Sequence, residues 1–232
     1  MSVNMENLYI LCIETSTEIC SVALAQGERC AALQECNTNN SHAKNMIPFV
    51  EEVLRQANVS KNQLNAIAVG VGPGSYTGLR IGVSTAKGLA YSLDIPVIAI
   101  STLECIAEPY LTKADHCRPM IDARRMEVFT ALYNHDGQLL EEPNAKIVDE
   151  DCFAEELTNF KTVFCGNGAE KCKEVLGKYP NALFQTDPLS ARNMVPIAYR
   201  KFQAEQFENV AYFEPFYLKD YVAAKPKVKG LI

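Results

Sequence analysis

The chain has 232 residues, 48% of them apolar, which is enough for one generous core or two lobes of modest size. Its formal charge of −6 and pI of 5.2 lack the basic footprint of a protein that binds nucleic acid by itself, so any RNA contact is expected to need a partner. No apolar run reaches the roughly 20 residues of a membrane-spanning helix. The stretch from Leu8 to Ile13 meets Glu14 without a basic flank, unlike a signal peptide, and a cytoplasmic location without membrane attachment is expected. Nine cysteines are scattered with no C-x-x-C pair and no nearby His-x-x-x-His, so they read as free thiols rather than a disulfide framework or a metal site.

Alternation and β-branching predict three strands at Tyr9 to Glu14, Cys20 to Ala25 and Cys30 to Glu35. The turn between the first two, Thr15-Ser16-Thr17-Glu18, is rich in hydroxyls; it reads as an ordinary polar hairpin turn or as a loop able to hold phosphate. A helix from about Ala43 to Ala57 follows, starting late or kinked because of Pro48, then a short one opened by Ser60-x-x-Gln63. A strand from Ala66 to Val71, a long helix from Thr77 or Gly78 to Ser92, and a strand from Ile95 to Ile100 complete the first half.

The second half repeats the pattern more weakly, with strands at Arg118 to Asp122 and Glu127 to Tyr133, and a turn at His135-Asp136-Gly137. A helix from Glu150 to Asn159, a strand from Thr162 to Cys165, the turn Gly166-Asn167-Gly168, and helices at Ala169 to Lys178 and Leu189 to Phe207 follow. The order of strands and helices describes α/β lobes with mixed sheets and right-handed crossovers, as in two-lobed actin-like or sugar-kinase-like folds. The lobes are expected at 1–106 and 107–232, with the last helix packing back on the first lobe and the boundary within Ser101 to Asp115. The tail from Lys219 to Lys229 carries four lysines and reads as a solvated tail or a basic arm.

The segment from Gly70 to Gly82, GVGPGSYTGLRIG, joins a strand to a helix through glycine and hydroxyl residues. Gly72, Gly74 and Gly78 would let an anion approach the backbone, with Ser75 and Thr77 beside them. The two common nucleotide fingerprints fail here. A Walker A loop needs Gly-Lys where this chain has Thr77-Gly78, and the third glycine of a dinucleotide loop falls on Thr77.

On a helical wheel, Met46, Ile47, Phe49, Val50, Val53, Leu54 and Ala57 fill an arc of about 160°. In the second long helix the polar positions Arg80, Ser84, Lys87 and Tyr91 cover only about 60°. Gly78, Gly82 and Ala86 stand one turn apart, which admits a close backbone, and Leu79, Val83, Ala90 and Leu93 add bulk. So wide an apolar surface exceeds what one sheet face covers and predicts a second cover, from the same chain or another subunit.

These motifs together resemble the TsaB (YeaZ) family, paralogues of the threonylcarbamoyl-transferring TsaD proteins within the glycoprotease-like ASKHA group. The resemblance runs through ILCIETSTEICSVAL, Ser41-His42-Ala43, the helix around Pro48 to Leu54, and AIAVGVGPGSYTGLRIGVSTAKGLA with IPVIAISTLE. It continues in Ile121-Asp122-Ala123-Arg124, Gly166-Asn167-Gly168 and Pro215-Phe216-Tyr217-Leu218, and thins between Gln138 and Asn209. It implies an ASKHA fold and a noncatalytic dimerisation subunit supporting a TsaD-like enzyme in forming threonylcarbamoyladenosine beside the anticodon of tRNA. A TsaE-like ATPase in the same complex, a homodimer in isolation and an indirect relation to tRNA are implied with it. The family's interface is a helical bundle, which places Met46, Phe49, Val50, Val53, Leu54, Leu79, Gly82, Val83, Ala86, Leu89 and Ala90 at the partner interface. No cofactor is expected; nucleotide binding, where present, would be weak or shared in the complex.

What the chain lacks bears on the chemistry. Ser101-Thr102-Leu103-Glu104-Cys105 stands where TsaD-like relatives carry a His-x-x-x-His metal pair, and Asp122-Ala123-Arg124-Arg125 stands where kinase-like relatives use paired glycines. The expectation is a degenerate cleft with neither catalytic residue nor metal. Glu14 and Asp122 remain as acids at comparable places in the two lobes, for magnesium or acid–base work, or to cap turns and pair with Arg124. Arg124 and Arg125 are candidates for RNA phosphate, of which one at most would serve if they lie in a strand. Ser75 and Thr77 have no histidine placed by sequence to activate them. The reading from a different class is a stand-alone ATP-binding or hydrolytic, protease-like enzyme of the actin and sugar-kinase class.

Overall fold

The computed structural model describes residues 7–37 and 42–219. Ser41 and the tail beyond Lys219 lie outside the described residues. The first sheet contains β1 (Tyr9–Glu14), β2 (Ile19–Gln26), β3 (Arg29–Asn37), β4 (Ala66–Gly70) and β5 (Val97–Ile100), in the order β3-β2-β1-β4-β5. Strands β1, β2 and β3 are antiparallel neighbours, and β4 and β5 add in parallel. The second sheet contains β6 (His116–Asp122), β7 (Glu127–Asn134), β8 (Leu139–Ile147), β9 (Thr162–Cys165) and β10 (Ala182–Gln185). Read from β8, its order is β8-β7-β6-β9-β10, the same topology as the first. The two sheets thus repeat one strand topology.

Period-2 alternation explains how the first sheet buries both faces. Leu11 and Ile13 of β1, with Ile67 and Val69 of β4, join the core under α1 (His42–Gln56) and α2 (Tyr76–Leu93). Ile10 and Cys12, with Ala66 and Ala68, face the opposite core, which also holds Cys117, Val163 and Cys165 of the second sheet. The two lobes therefore share a central layer, filled by α3 (Thr102–Ala107) and α6 (Met194–Gln203). The helices α4 (Ala154–Asn159) and α5 (Ala169–Leu176) bury Leu157, Cys172 and Leu176 in a third cluster with Phe164 and Met120.

The expected elements are present, with differences that have physical causes. Helix α1 runs without a late start; Pro48 sits on its exposed side, above Lys44, whose freed carbonyl is on the solvent side. The helix expected from Glu150 begins at Ala154, after a turn in which the Asp149 carboxylate accepts from the Asp151 N–H at 3.0 Å. The helix expected from Leu189 to Phe207 is a 3-10 turn at Ala191–Asn193 followed by α6. Sequence reading missed β8 and β10, both edge strands, and α3. The Ser101 to Asp115 segment, expected to be the boundary, is α3 and a 3-10 turn whose Leu103, Cys105 and Ile106 are buried between the sheets. Helix α6 packs on β1 and β5. The segment after it returns along the first lobe, where the Glu208 N–H donates to Val97 O at 2.9 Å and Lys87 donates to Phe213 O at 2.9 Å.

Candidate functional site

The carboxyl ends of β1 and β4, the start of α2 and the β6–β7 turn surround an interlobe cleft of about 820 Å³. Ser16, Thr17, Ser75 and Thr77 line one side, and Asp122, Arg124 and Asn167 the other. Ser75 caps α2, its Oγ accepting from the Gly78 N–H at 3.2 Å, while its own N–H donates to Ser16 O at 2.7 Å. The Thr15 hydroxyl donates to Gly78 O at 2.8 Å.

These contacts correct the reading of the glycine loop. A Cβ on Gly74 would collide with the Ser16 carbonyl, one on Gly78 with the Thr15 carbonyl, and one on Gly82 with the Thr15 hydroxyl. A Cβ on Gly72, whose φ is +113°, would lie 2.5 Å from the Phe216 carbonyl. The glycines make room for the β1–β2 turn and the C-terminal segment of the same chain, so the space expected for an approaching ligand or partner backbone is filled from within. Such a loop does not fit a polyphosphate: two of its N–H groups are spent and its glycine faces are covered. The hydroxyl-rich turn at Thr15 to Glu18 is thus a packing element with Thr15 and Ser16 buried, although Ser16 Oγ has no protein partner.

Glu14 and Asp122 do not face each other across the cleft. Glu14 is fully buried beside Gly70, where its Oε1 accepts from the Ser16 N–H at 2.6 Å and its Oε2 has no partner. Burial pushes its carboxyl above the ordinary value, against the opposing effect of the Ser16 and Thr15 hydrogen bonds. Asp122 is exposed, bonded to Lys171 at 2.5 Å and accepting from the Arg124 N–H at 2.7 Å. Partial burial raises its carboxyl, but these partners outweigh that and hold it below the usual range. The pairing with Arg124 is through the backbone. Arg124 and Arg125 are turn residues rather than strand residues, with φ of +74° and +53°, a conformation that normally favours glycine or asparagine.

His42 lines the interlobe cleft with its Nε2 3.0 Å from Thr17 O, while His116 Nδ1 lies 3.6 Å from Glu156 and His135 Nε2 3.3 Å from Asp136. Among the described residues, no three His, Cys, Asp or Glu side chains converge in a manner that could hold a metal. The nine cysteines are free; burial first, then Cys36, pushes the Cys20 thiol up to about 12, and burial takes Cys172 to about 11. Such thiols are poor nucleophiles.

The wide apolar faces of α1 and α2 are also resolved. Of the residues expected at the partner interface, Met46, Val50, Val53, Leu79, Gly82, Val83, Ala86 and Ala90 are buried within this chain, because α1, α2, the sheet and the C-terminal segment cover one another. They are core, not interface. Phe49, Leu54 and Leu89 keep partial exposure. The surface left open was assigned to other roles by sequence: Ile47, placed in the apolar arc, is 47% exposed and Tyr91 is 85% exposed. Thr77, Ile81, Ser84 and Gly88 form the outward stripe of α2, and a Cβ on Gly88 would meet nothing within 4 Å. The signal available in sequence was the small residue at every third or fourth position, which reads equally as a tight internal contact.

Two mixed sheets of matching topology around a shared central layer make this a two-lobed α/β protein of the actin-like class. Residues 36–231 match the family model for TsaD, tRNA N6-adenosine threonylcarbamoyltransferase. The tRNA threonylcarbamoyladenosine biosynthesis protein TsaB of Escherichia coli is 34% identical over 226 residues, 93% of this chain and 96% of that one. The TsaB protein of Haemophilus influenzae is 41% identical over 127 residues, an alignment that spans 54% of this chain and 53% of the relative. YeaZ from Pseudomonas aeruginosa superposes with a TM-score of 0.78 at 28% identity, covering 91% of this chain and all of that one. A further Pseudomonas aeruginosa structure, described as similar to peptidase YEAZ, gives 0.81 at 28% identity and the same coverage. The chain belongs to the TsaD family, in its TsaB (YeaZ) branch. Among the described residues no helix is long and apolar enough to cross a membrane.

Proposed function

We propose that this chain serves tRNA threonylcarbamoyladenosine biosynthesis as a noncatalytic subunit that dimerises with and supports a TsaD-like catalytic subunit, with a TsaE-like ATPase in the same cytoplasmic complex. The observation that carries this reading is the closure of the glycine loop by Thr15 and Ser16, which leaves no cradle for the phosphates that an actin-like enzyme would act on. The buried position of Glu14 speaks for the same reading and against a stand-alone ATPase or protease. No cofactor or metal of its own belongs to this role, and tRNA is reached through the partner.

The partner face of this proposal is the outward surface of the α1–α2 pair, where Ile47, Leu54, Ile81 and Tyr91 flank the small residues Ser84 and Gly88. Small residues let another helix approach closely while the flanking apolar side chains supply buried area. The same face would make a homodimer in isolation. Light scattering after size-exclusion chromatography, on the chain alone and mixed with the TsaD-like protein of the same organism, tests it. A heteromeric peak that displaces any homodimer, together with threonylcarbamoylation by the mixture and not by the chain alone, is the expected result. Separate elution, or ATP or peptide turnover by the isolated chain, overturns it.

A further inference from the structure

At the β6–β7 turn a strained backbone coincides with unpaired cations. Arg124 and Arg125 take φ of +74° and +53°, and hairpins that need positive φ at two successive residues obtain it from Asn-Gly. Arginine costs free energy there, because its Cβ crowds the following carbonyl. Its presence at both positions needs a reason outside the backbone, and strained residues gather where their side chains act.

The turn is held without using either guanidinium. Lys171 Nζ donates to Asp122 Oδ1 at 2.5 Å, to Arg125 O at 2.6 Å and to Glu127 O at 2.7 Å. Asp122 Oδ1 also accepts from the Arg124 N–H at 2.7 Å, and the Asp122 N–H donates to Asn167 Oδ1 at 3.0 Å. Both acids of the turn are already paired, Asp122 with Lys171 and Glu127 with Lys219. Arg124 and Arg125 are exposed, and neither makes an ion pair within 4 Å among the described residues. The two guanidiniums are therefore a local positive excess on a chain of net charge −6. Arg124 stands at the rim of the interlobe cleft, whereas Arg125 lines neither of the two cavities that border the turn, so the charge extends beyond the cleft.

We propose that this turn contacts the sugar–phosphate backbone of the folded tRNA on which the complex acts, each guanidinium meeting a phosphate. This role rests on the scaffold reading above: the partner carries the tRNA, and the turn adds a contact that the acidic remainder of this chain does not offer. A planar guanidinium matches phosphate geometry and is always charged, and phosphate contacts fix orientation without reading sequence. Because Lys171 already fixes the turn, little backbone freedom is lost on contact. A protein interface would centre on apolar surface, whereas the exposed residues of this turn, Asp122, Arg124 and Arg125, are all charged.

The double variant Arg124→Asn, Arg125→Gly tests the proposal, because it relieves the backbone while removing both charges. Thermal unfolding is measured on the full chain, and partner affinity and tRNA affinity at several salt concentrations on its complex with the TsaD-like protein of the same organism. The variant is expected to unfold at or above the parent's midpoint and to bind the partner equally well. Its complex should bind tRNA about tenfold more weakly, with the slope of log affinity against log salt reduced by about one to two. Lysine at both positions should keep the parent's slope. A lowered unfolding midpoint marks the arginines as structural and overturns the proposal. So does weakened partner binding, which assigns the turn to an acidic protein face. An intact complex with unchanged tRNA affinity and slope overturns this proposal alone, whereas a parent chain that forms no complex overturns the scaffold reading and this role with it.

Discussion

The carbonyl oxygen of Thr15 occupies the space that a side chain at Gly78 would need, and the Thr15 hydroxyl donates to the Gly78 carbonyl at 2.8 Å. The β1–β2 turn and the first turns of α2 are thus one packed unit. Gly78 and Gly82 have helical φ, so their necessity is steric and not conformational.

Gly78→Ala therefore forces a backbone shift, with an expected loss of about 1–3 kcal/mol, the range for overpacking a tight interior. Gly88→Ala, whose Cβ meets open space, gains about 0.5–1 kcal/mol from helix propensity alone. Urea unfolding of the two variants should move the midpoint in opposite directions. A Gly78→Ala midpoint at or above that of the parent would remove the packing account of the loop.

The same steric distinction separates core from partner face. Val83→Arg or Ala86→Arg places a charge in the core between α1, α2 and the sheet, and should unfold the chain rather than merely block association. Gly88→Arg projects from the open face and should leave the fold intact while weakening binding to a TsaD-like partner by more than about tenfold, or 1.4 kcal/mol. Circular dichroism and light scattering of the mixture separate the two effects; undiminished binding by Gly88→Arg would move the interface elsewhere.

Much of this fold is legible in sequence because its strands obey period 2 on two buried faces and its helices carry clear arcs. Tyr9–Glu14 and Thr162–Cys165 read directly. The edge strand Leu139–Ile147 does not, because Glu141, Glu142, Pro143 and Asn144 interrupt its apolar alternation where one side needs no partner strand. The candidate site was legible as a motif but not as geometry. GVGPGSYTGLRIG announces close approach without saying what approaches; only the positions of Thr15, Ser16 and Phe216 reveal that the chain itself does. Likewise an apolar arc cannot distinguish a helix covered by its own C-terminal segment from one awaiting a partner.

In the second lobe, Arg118 is almost wholly buried, held by Glu156 at 2.6 Å and Glu141 at 2.7 Å, with its guanidinium 4.3 Å from the Phe153 ring centroid. Removing one partner of a buried pair leaves an uncompensated charge. Glu156→Gln should cost about 3 kcal/mol, the low end of that effect, because Glu141 remains. The loss should change little between low and high salt, since buried pairs are weakly screened. Chemical denaturation in both conditions measures it, and a cost below about 1 kcal/mol would mark the network as no stronger than a surface pair.

Glu14 gives the chain a pH dependence of definite sign. Its carboxyl is buried at the end of β1 and raised above the ordinary value by desolvation, so the folded chain keeps this proton at pH values where the unfolded chain has lost it. Stability from this group is full below the unfolded value, about 4.3, and falls as pH rises from there toward the raised folded value. Glu14→Gln retains an Oε1 acceptor for the Ser16 N–H and carries no charge to bury. The variant should match the parent near pH 4 and become progressively more stable than it as pH rises toward the raised folded value. Unfolding free energies at several pH values give the difference directly, and a difference that stays flat, or that grows toward acid, would place an ionised Glu14 in the folded chain.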